Sequence, residues 1–367
     1  MGISSLKNQF TFSIRNLLIT MLILTTQLLS IHFASAQSIT DSAGRTVELP
    51  ENIQRIYAAG APAAILIYIL APDMLLGWPR EPHDYEREYI ASPYRDLPAT
   101  GQLTGRGSSA NLEKVLALKP DLILDFGSVK GTYASLADRT QQQTGIPYLL
   151  INGRFDKTAD ALRLLGKAIG REDRAEKLAV YTENLLSDIK QNLQTVDKKD
   201  RPRVYMARGP AGLETGLKGS INTEIIEQAG GINVIDPGEG KPIRRGLVNL
   251  SMEQVIVANP DIIITWDRTF FADVWDNPYW SNIPALQQKH VYLAPTAPFG
   301  WIDRPPSLNR LIGLKWLFGQ FYPDKVKTDL SDDVKEFYKL FYHVDLENPE
   351  TNNAALERLI QWAEKSK

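Results

Sequence analysis

Two fourteen-residue stretches of this chain carry one pattern. Asn111–Leu124 reads NLEKVLALKPDLIL and Ser251–Ile264 reads SMEQVIVANPDIII. Glu113, Val115, Pro120, Asp121 and Ile123 have their counterparts in Glu253, Val255, Pro260, Asp261 and Ile263. Each copy spells a short helix, a Pro-Asp break and an apolar strand, because proline has no amide hydrogen to continue a helix. Between the copies, Arg171–Val196 contains neither Gly nor Pro, and its apolar residues Leu178, Tyr181, Leu185, Ile189 and Leu193 recur at spacings of three and four. That spacing puts them on one face of a helix, about 35–40 Å long at 1.5 Å per residue. A duplicated unit on either side of one long helix predicts two α/β lobes, each with a central, mostly parallel sheet flanked by helices.

The 367 residues have room for both lobes, and an apolar fraction of 43% fills two cores. The formal charge is −2. No basic stripe appears, so nucleic acid is not an expected partner. Residues 1–36 have the order of a secretory signal: Lys7 and Arg15, then apolar Leu17–Leu29, then Ala34-Ser35-Ala36 as a cleavage site before Gln37. A membrane anchor is the competing reading, but Thr20, Thr25, Thr26 and Gln27 interrupt the apolar run. The sequence has no cysteine. Disulfides, thiol chemistry, thiolate metal sites and a lipidated cysteine are therefore not expected, and the expected protein is soluble and periplasmic, without a lipid anchor.

The expected organisation is a signal at 1–36, a first lobe at 37–157, a linking helical segment at 158–200 and a second lobe at 201–367. Ser38–Tyr57 reads as a hairpin leading into a buried strand, and strands and helices alternate from there to Ile151. In the second lobe the glycines 209, 212, 216 and 219 predict loop, and Trp266–Trp280 reads as an aromatic loop. Three helices are expected over Ser307–Phe321, Asp332–Tyr342 and Asn353–Lys365.

Three further features carry a resemblance: D-x-x-G-R-x-V at Asp41–Val47, L-K-P-D-L at Leu118–Leu122 with its partner at Asn259–Ile262, and P-S-x-N-R-L-I-G at Pro306–Gly313. With the linking helix and the signal, the chain resembles the helix-linked periplasmic binding proteins of ABC importers, the family that receives ferric siderophores, haem and vitamin B12. The resemblance covers nearly all of the mature chain. It implies an inner-membrane permease as partner, docked through one surface carboxylate from each lobe; the matching positions are Glu113 and Glu253. Taken alone, each Glu reads as a solvated residue in the first turn of its helix, where negative charge is favoured.

Ligands of open α/β lobes sit beyond the carboxyl ends of the strands. The loops there bring Trp78, Arg80, Arg106 and Ser128 from the first lobe, and Arg208, Arg244, Arg245, Trp266, Arg268, Trp301 and Arg304 from the second. Guanidinium groups bind oxygen-rich anions through paired hydrogen bonds, and indoles supply apolar walls. The expected ligand-binding set is Trp78, Arg80, Arg106, Arg208, Arg245, Trp301 and Arg304. Trp301 heads this set with Arg304, because an exposed Phe-Gly-Trp loop has no evident core role. The cargo expected is an anionic metal complex such as a ferric siderophore; molybdate or tungstate, haem and a corrinoid are the alternatives. Tyr85, Tyr89 and Tyr94 are further candidates to reach iron or haem.

No cofactor and no bare-metal site are expected, since His83, His290 and His343 are widely spaced. A secreted hydrolase is the competing class. Ser108, Ser128 and Ser220 follow glycines, but none stands in G-x-S-x-G. An enzyme is not expected.

Overall fold

The computed structural model describes residues 37–105, 107, 109–238, 246–348 and 353–364. The expected signal, Arg106, Ser108, Arg244, Arg245 and Lys365 lie outside the described residues. In chain order the elements are β1 (Gln37–Thr40), β2 (Thr46–Leu49), β3 (Ile56–Ala58), α1 (Ala61–Leu70), α2 (Asp84–Arg87), α3 (Leu112–Ala117), β4 (Leu122–Gly127), α4 (Gly131–Thr144), β5 (Tyr148–Asn152), α5 (Thr158–Ile169) and α6 (Glu172–Leu193). There follow β6 (Arg203–Ala207), β7 (Glu214–Gly216), α7 (Glu224–Gln228), β8 (Ile232–Asn233), β9 (Leu247–Asn249), α8 (Met252–Ala258), β10 (Ile262–Thr265), α9 (Arg268–Asp273), α10 (Pro284–Gln287), β11 (Val291–Leu293), α11 (Arg310–Phe321), α12 (Leu330–Phe341) and α13 (Asn353–Glu364).

The two-lobed α/β expectation holds. In the first lobe β3, β4 and β5 form a parallel sheet with β4 central, and in the second the parallel order is β11-β10-β6-β8. The linking helix α6 spans Glu172–Leu193, within the stretch expected to be helical. Side chains alternate across each sheet, as a period of two requires. Leu122 and Leu124, with Ile262 and Ile264, enter one continuous core that also holds Leu178, Leu185 and Ile189 of α6. Ile123 and Ile263 point the other way, into small separate clusters around Val115 and Val255.

The repeated units have the same local design. In both, the ten residues from Asn111 and from Ser251 show one burial pattern, with only Val115 or Val255 and the following proline fully inside. The helices end in left-handed residues, Lys119 at φ 49° and Asn259 at φ 46°. Asp121 Oδ2 accepts from the amide of Arg55 at 2.9 Å, and Asp261 Oδ2 from that of Arg203 at 3.0 Å. The same arginines reach back to the last helical carbonyls, Arg55 to Leu118 at 2.6 Å and Arg203 to Ala258 at 2.7 Å. Each Pro-Asp break is thus an Arg-capped helix end tied to the start of the neighbouring strand, which satisfies carbonyls that would otherwise lack donors. An Arg before an apolar strand, Arg55-Ile56-Tyr57 and Arg203-Val204-Tyr205, is the sequence signal of this clamp.

The other two motifs are also backbone ties. Asp41 accepts from the amides of Ala43 and Arg45 at 2.9 Å. Arg45 Nη1 bonds Asp41 at 2.9 Å and the Tyr148 carbonyl at 3.1 Å, which staples the β1-β2 hairpin to β5. In the late motif, Ser307 donates to the Pro62 carbonyl of the first lobe at 2.9 Å, and Arg310 donates to the Gly153 carbonyl at 3.1 Å and to that of Ile221 at 2.7 Å. Asn309 bonds the carbonyls of Gly300 and Pro305. Gly313 lets α11 lie directly on the backbone of Trp301, where a β-carbon would overlap the Trp301 carbonyl.

Two local expectations are corrected. Glu214–Gly216 is a strand paired antiparallel with Leu247–Asn249. The aromatic loop opens with α9, because Asp267 caps it by accepting from the amides of Thr269 and Phe270 at 3.0 and 3.1 Å. Among the described residues, no helix is long and apolar enough to cross a membrane.

Candidate ligand cleft and docking surface

The loops at the carboxyl ends of both sheets meet where Arg154, Phe155, Glu224 and Arg310 join the lobes. Glu224 is buried and accepts from the Phe155 amide at 2.8 Å, with Arg310 at 3.1 Å and Arg154 at 3.0 Å. Arg310 also lies over the Phe155 ring at 4.9 Å. Burial lowers the pKa of this guanidinium, and Glu224 acts against that shift. Sequence reasoning passed over Glu224 and Arg154, neither of which stands in a motif.

The expected ligand residues divide sharply. Trp301 is 0% exposed, its indole donating to the Tyr338 hydroxyl at 3.2 Å, so the expected exposed loop is corrected: it folds under α11 and α12 as core. Trp78 is likewise buried; it donates to the Tyr94 carbonyl at 2.8 Å and packs on Tyr68 and Phe299. Both indoles are consumed by packing because large apolar surface is most stable away from water. Neither offers a wall to a ligand.

Arg80 remains on the surface, but its fork grips the buried Glu86 at 2.6 and 2.8 Å, and that bond raises its pKa. Glu86 also accepts from the His83 amide at 2.8 Å and so caps α2. Arg208 is largely buried, stacked over Trp266 at 4.5 Å, bonded to Asp303 and 3.4 Å from Glu214. Asn222 supports the same Asp303 at 3.4 Å. The charges of Arg80 and Arg208 are thus matched by protein carboxylates. Arg304 differs. It is exposed, at φ 67°, and its guanidinium has no ion pair or hydrogen bond among the described residues. It stands between Asp303, which holds Arg208, and Ser307, which reaches Pro62 in the other lobe.

Around the rim, Tyr85 is 47% exposed, stacks on His83 at 5.7 Å and touches Thr296 of the second lobe; burial raises its pKa. Arg268 lies over Trp362 of the last helix at 3.9 Å. Tyr89 is buried and bonds the Ala355 carbonyl at 3.0 Å, and Tyr94 packs edge-on against Tyr68. Among the described residues, no group of three His, Cys, Asp or Glu could hold a metal ion.

Glu113 and Glu253 are both exposed, at the same place in the repeated unit. The Ser251 hydroxyl lowers the pKa of Glu253. One turn on, Leu116 and Ile256 are 44% and 48% exposed, and Val257 reaches 83%. Spacing of three puts acid and apolar side chain on one face of each helix.

Two parallel-sheet lobes fixed by one helix, with strand-end loops facing each other, define a substrate-binding protein of the two-lobed type. The chain belongs to the periplasmic binding protein family, whose model matches residues 77–298. Its relatives include an uncharacterized ABC transporter substrate-binding lipoprotein of Bacillus subtilis, 28% identical over 60% of this chain and 67% of that protein. The molybdate-binding protein MolA of Haemophilus influenzae is 25% identical over 83% of this chain and 90% of its own. Among solved structures, an ABC transporter solute binding protein from Sulfurospirillum deleyianum superposes with a TM-score of 0.75 at 32% identity, covering 85% of this chain and 96% of that one. The chain is accordingly a substrate-binding component of an ABC transporter, with a ligand and a permease as its partners.

Proposed function

We propose that this protein captures an anionic metal complex, first a ferric siderophore, between its lobes in the periplasm and hands it to an inner-membrane permease. The observation that carries the anionic reading is Arg304: a guanidinium held on a rigid loop between the lobes, while the neighbouring Arg208 is matched by Asp303 and Glu214. Arg268 and Tyr85 at the rim extend the same surface toward an oxygen-rich ligand. Arg106 and Arg245, which lie outside the described residues, are retained in the proposal from sequence alone.

A second cargo, molybdate or tungstate, is favoured by one finding: the relative named as molybdate-binding matches along 83% of this chain. Haem or a corrinoid ranks behind it, with haem-uptake relatives matching 64%. Native mass spectrometry of protein purified gently from its own periplasm, with elemental analysis of the same sample, separates these readings. Iron with an organic mass supports the chelate; molybdenum or tungsten without one moves the function to the oxyanion.

Residues 1–36 serve in this proposal as the export signal, with lobes at 37–157 and 201–367 and the link at 158–200. Glu113 and Glu253 are the proposed docking carboxylates, and Leu116, Ile256 and Val257 the apolar contacts beside them. No turnover is part of the proposal, which sustained ester hydrolysis lost on Ser128→Ala would overturn.

A further inference from the structure

Away from the strand-end loops, the linking helix α6 and the short helix α7 flank a solvent-open pocket of about 450 Å³ lined by Asp156, Leu186, Lys190, Leu193, Arg201 and Glu227, with two glutamines at its edge. Three polar atoms buried in this wall have no hydrogen-bond partner: both carboxylate oxygens of Glu227 and Nε of Arg201. Buried polar groups are almost always paired, so complementary orphans in one wall call for a partner. The nearby amides of Glu227 and Asn233 favour the ionised carboxylate without forming a bond of normal geometry. Of the charged groups near Glu227, Asp156 and Lys190 line the same pocket and Lys218 and Glu224 act on its charge from outside it. Lys218 pairs with Asp236 at 2.7 Å, and Glu224 is taken up by Arg154 and Arg310. Leu186 and Leu193 pack on the main core and turn apolar surface to the pocket.

We propose that this pocket is a second ligand site, separate from the cleft, for a small molecule bearing an ammonium beside a carboxylate and an apolar side chain, which is the chemistry of an aliphatic α-amino acid. An ammonium has three donors for the two free oxygens of Glu227 and no acceptor to waste. Its carboxylate takes the free Nε–H of Arg201 and the charge of Lys190, and its side chain lies along Leu186 and Leu193. A ligand seated there touches Asp156 of the first lobe, the linking helix and α7 of the second at once, so it braces the joint between the lobes. The proposal does not depend on the identity of the cargo.

The test is titration calorimetry of the mature protein at pH 6 with L-leucine, butylamine and butyrate, each in two buffers of different ionisation heat. Burial raises the Glu227 carboxyl to about 7, so at pH 6 an arriving ammonium expels its proton. Leucine is expected to bind saturably below about 1 mM with a buffer-dependent heat, butylamine more weakly and butyrate not at all. Glu227→Gln is expected to weaken leucine at least tenfold and abolish the buffer dependence, with cargo binding in the cleft unchanged. Hydrogen exchange on the unaltered protein gives a second readout: amides 224–228 should slow with leucine. Absence of saturable leucine binding, butylamine binding as tightly as leucine, unchanged affinity in Glu227→Gln, or unchanged exchange would each overturn the site while leaving the cleft proposal intact.

Discussion

Arg310 Nη1 lies 3.1 Å from Glu224 Oε1, with both side chains almost wholly removed from water, and Arg310 bonds the Gly153 carbonyl of the other lobe at the same time. The pair is therefore a strut between lobes. Removing one member leaves an uncompensated buried charge, which costs about 3–5 kcal/mol. Glu224→Ala should lower the urea midpoint accordingly, and pairing it with Arg310→Met should recover much of the loss. An unchanged midpoint for Glu224→Ala would refute the strut.

Glu227 makes a pH-dependent contribution of the opposite sign to a salt-bridged acid. Burial raises its pKa to about 7 from the usual 4.5, so the folded state holds a proton that the unfolded chain releases between those values. Its contribution is fully present below pH 4.5, is lost as pH rises through 7, and amounts to at most about 3 kcal/mol. Glu227→Gln should stabilise the protein at pH 8 and have little effect at pH 4.5. Thermal unfolding at the two pH values measures both.

Trp301 and Arg304, three residues apart, should separate stability from binding. Trp301→Ala opens a hole in a fully buried site and should cost about 3–5 kcal/mol. Arg304→Ala, on the surface, should leave stability within about 0.5 kcal/mol and weaken an anionic cargo roughly tenfold or more, equivalent to about 1.4 kcal/mol. Denaturation and a binding titration on the same two proteins decide it; cargo affinity untouched in Arg304→Ala would remove that residue from the site.

The docking surface predicts a split between affinity and transport. Glu113→Ala with Glu253→Ala should abolish uptake in cells while cargo still binds the purified protein normally. Replacing Leu116, Ile256 and Val257 by Ser should reduce uptake in the same direction, with only a modest loss of stability because Val257 already faces water and Leu116 and Ile256 are half-exposed. Loss of cargo affinity in the double glutamate variant would count against docking.

Lobe movement should be small. The core cluster runs from the inner face of one sheet to that of the other through α6, and Ser307 and Arg310 bond across the joint. A packed, continuous core resists hinge rotation and allows only slight shear. Small-angle scattering with and without cargo should give the same radius of gyration within error, and a marked contraction would contradict this.

The sequence alone determined the two-lobe α/β plan, because its motifs act within short reach of the backbone. Asp121 and Asp261 bond amides at strand starts, Asp41 and Arg45 close a hairpin, and Gly313 admits a carbonyl. Such contacts need only the right residue at the right spacing, so they leave a pattern in the chain. They also explain why the motifs identify a family and say little about cargo: they hold the scaffold. Only the tertiary structure decided which loop side chains have charge or surface left for a ligand. Trp78 was absorbed by packing on Tyr68 and on Phe299 far along the chain, Trp301 by burial with its indole bonded to Tyr338 of α12, and Arg80 and Arg208 were matched by Glu86 and Asp303. Whether a loop residue is buried or paired depends on partners brought in by the whole fold. Arg208 and Asp303 stand 95 positions apart, and no local spacing announces that they meet.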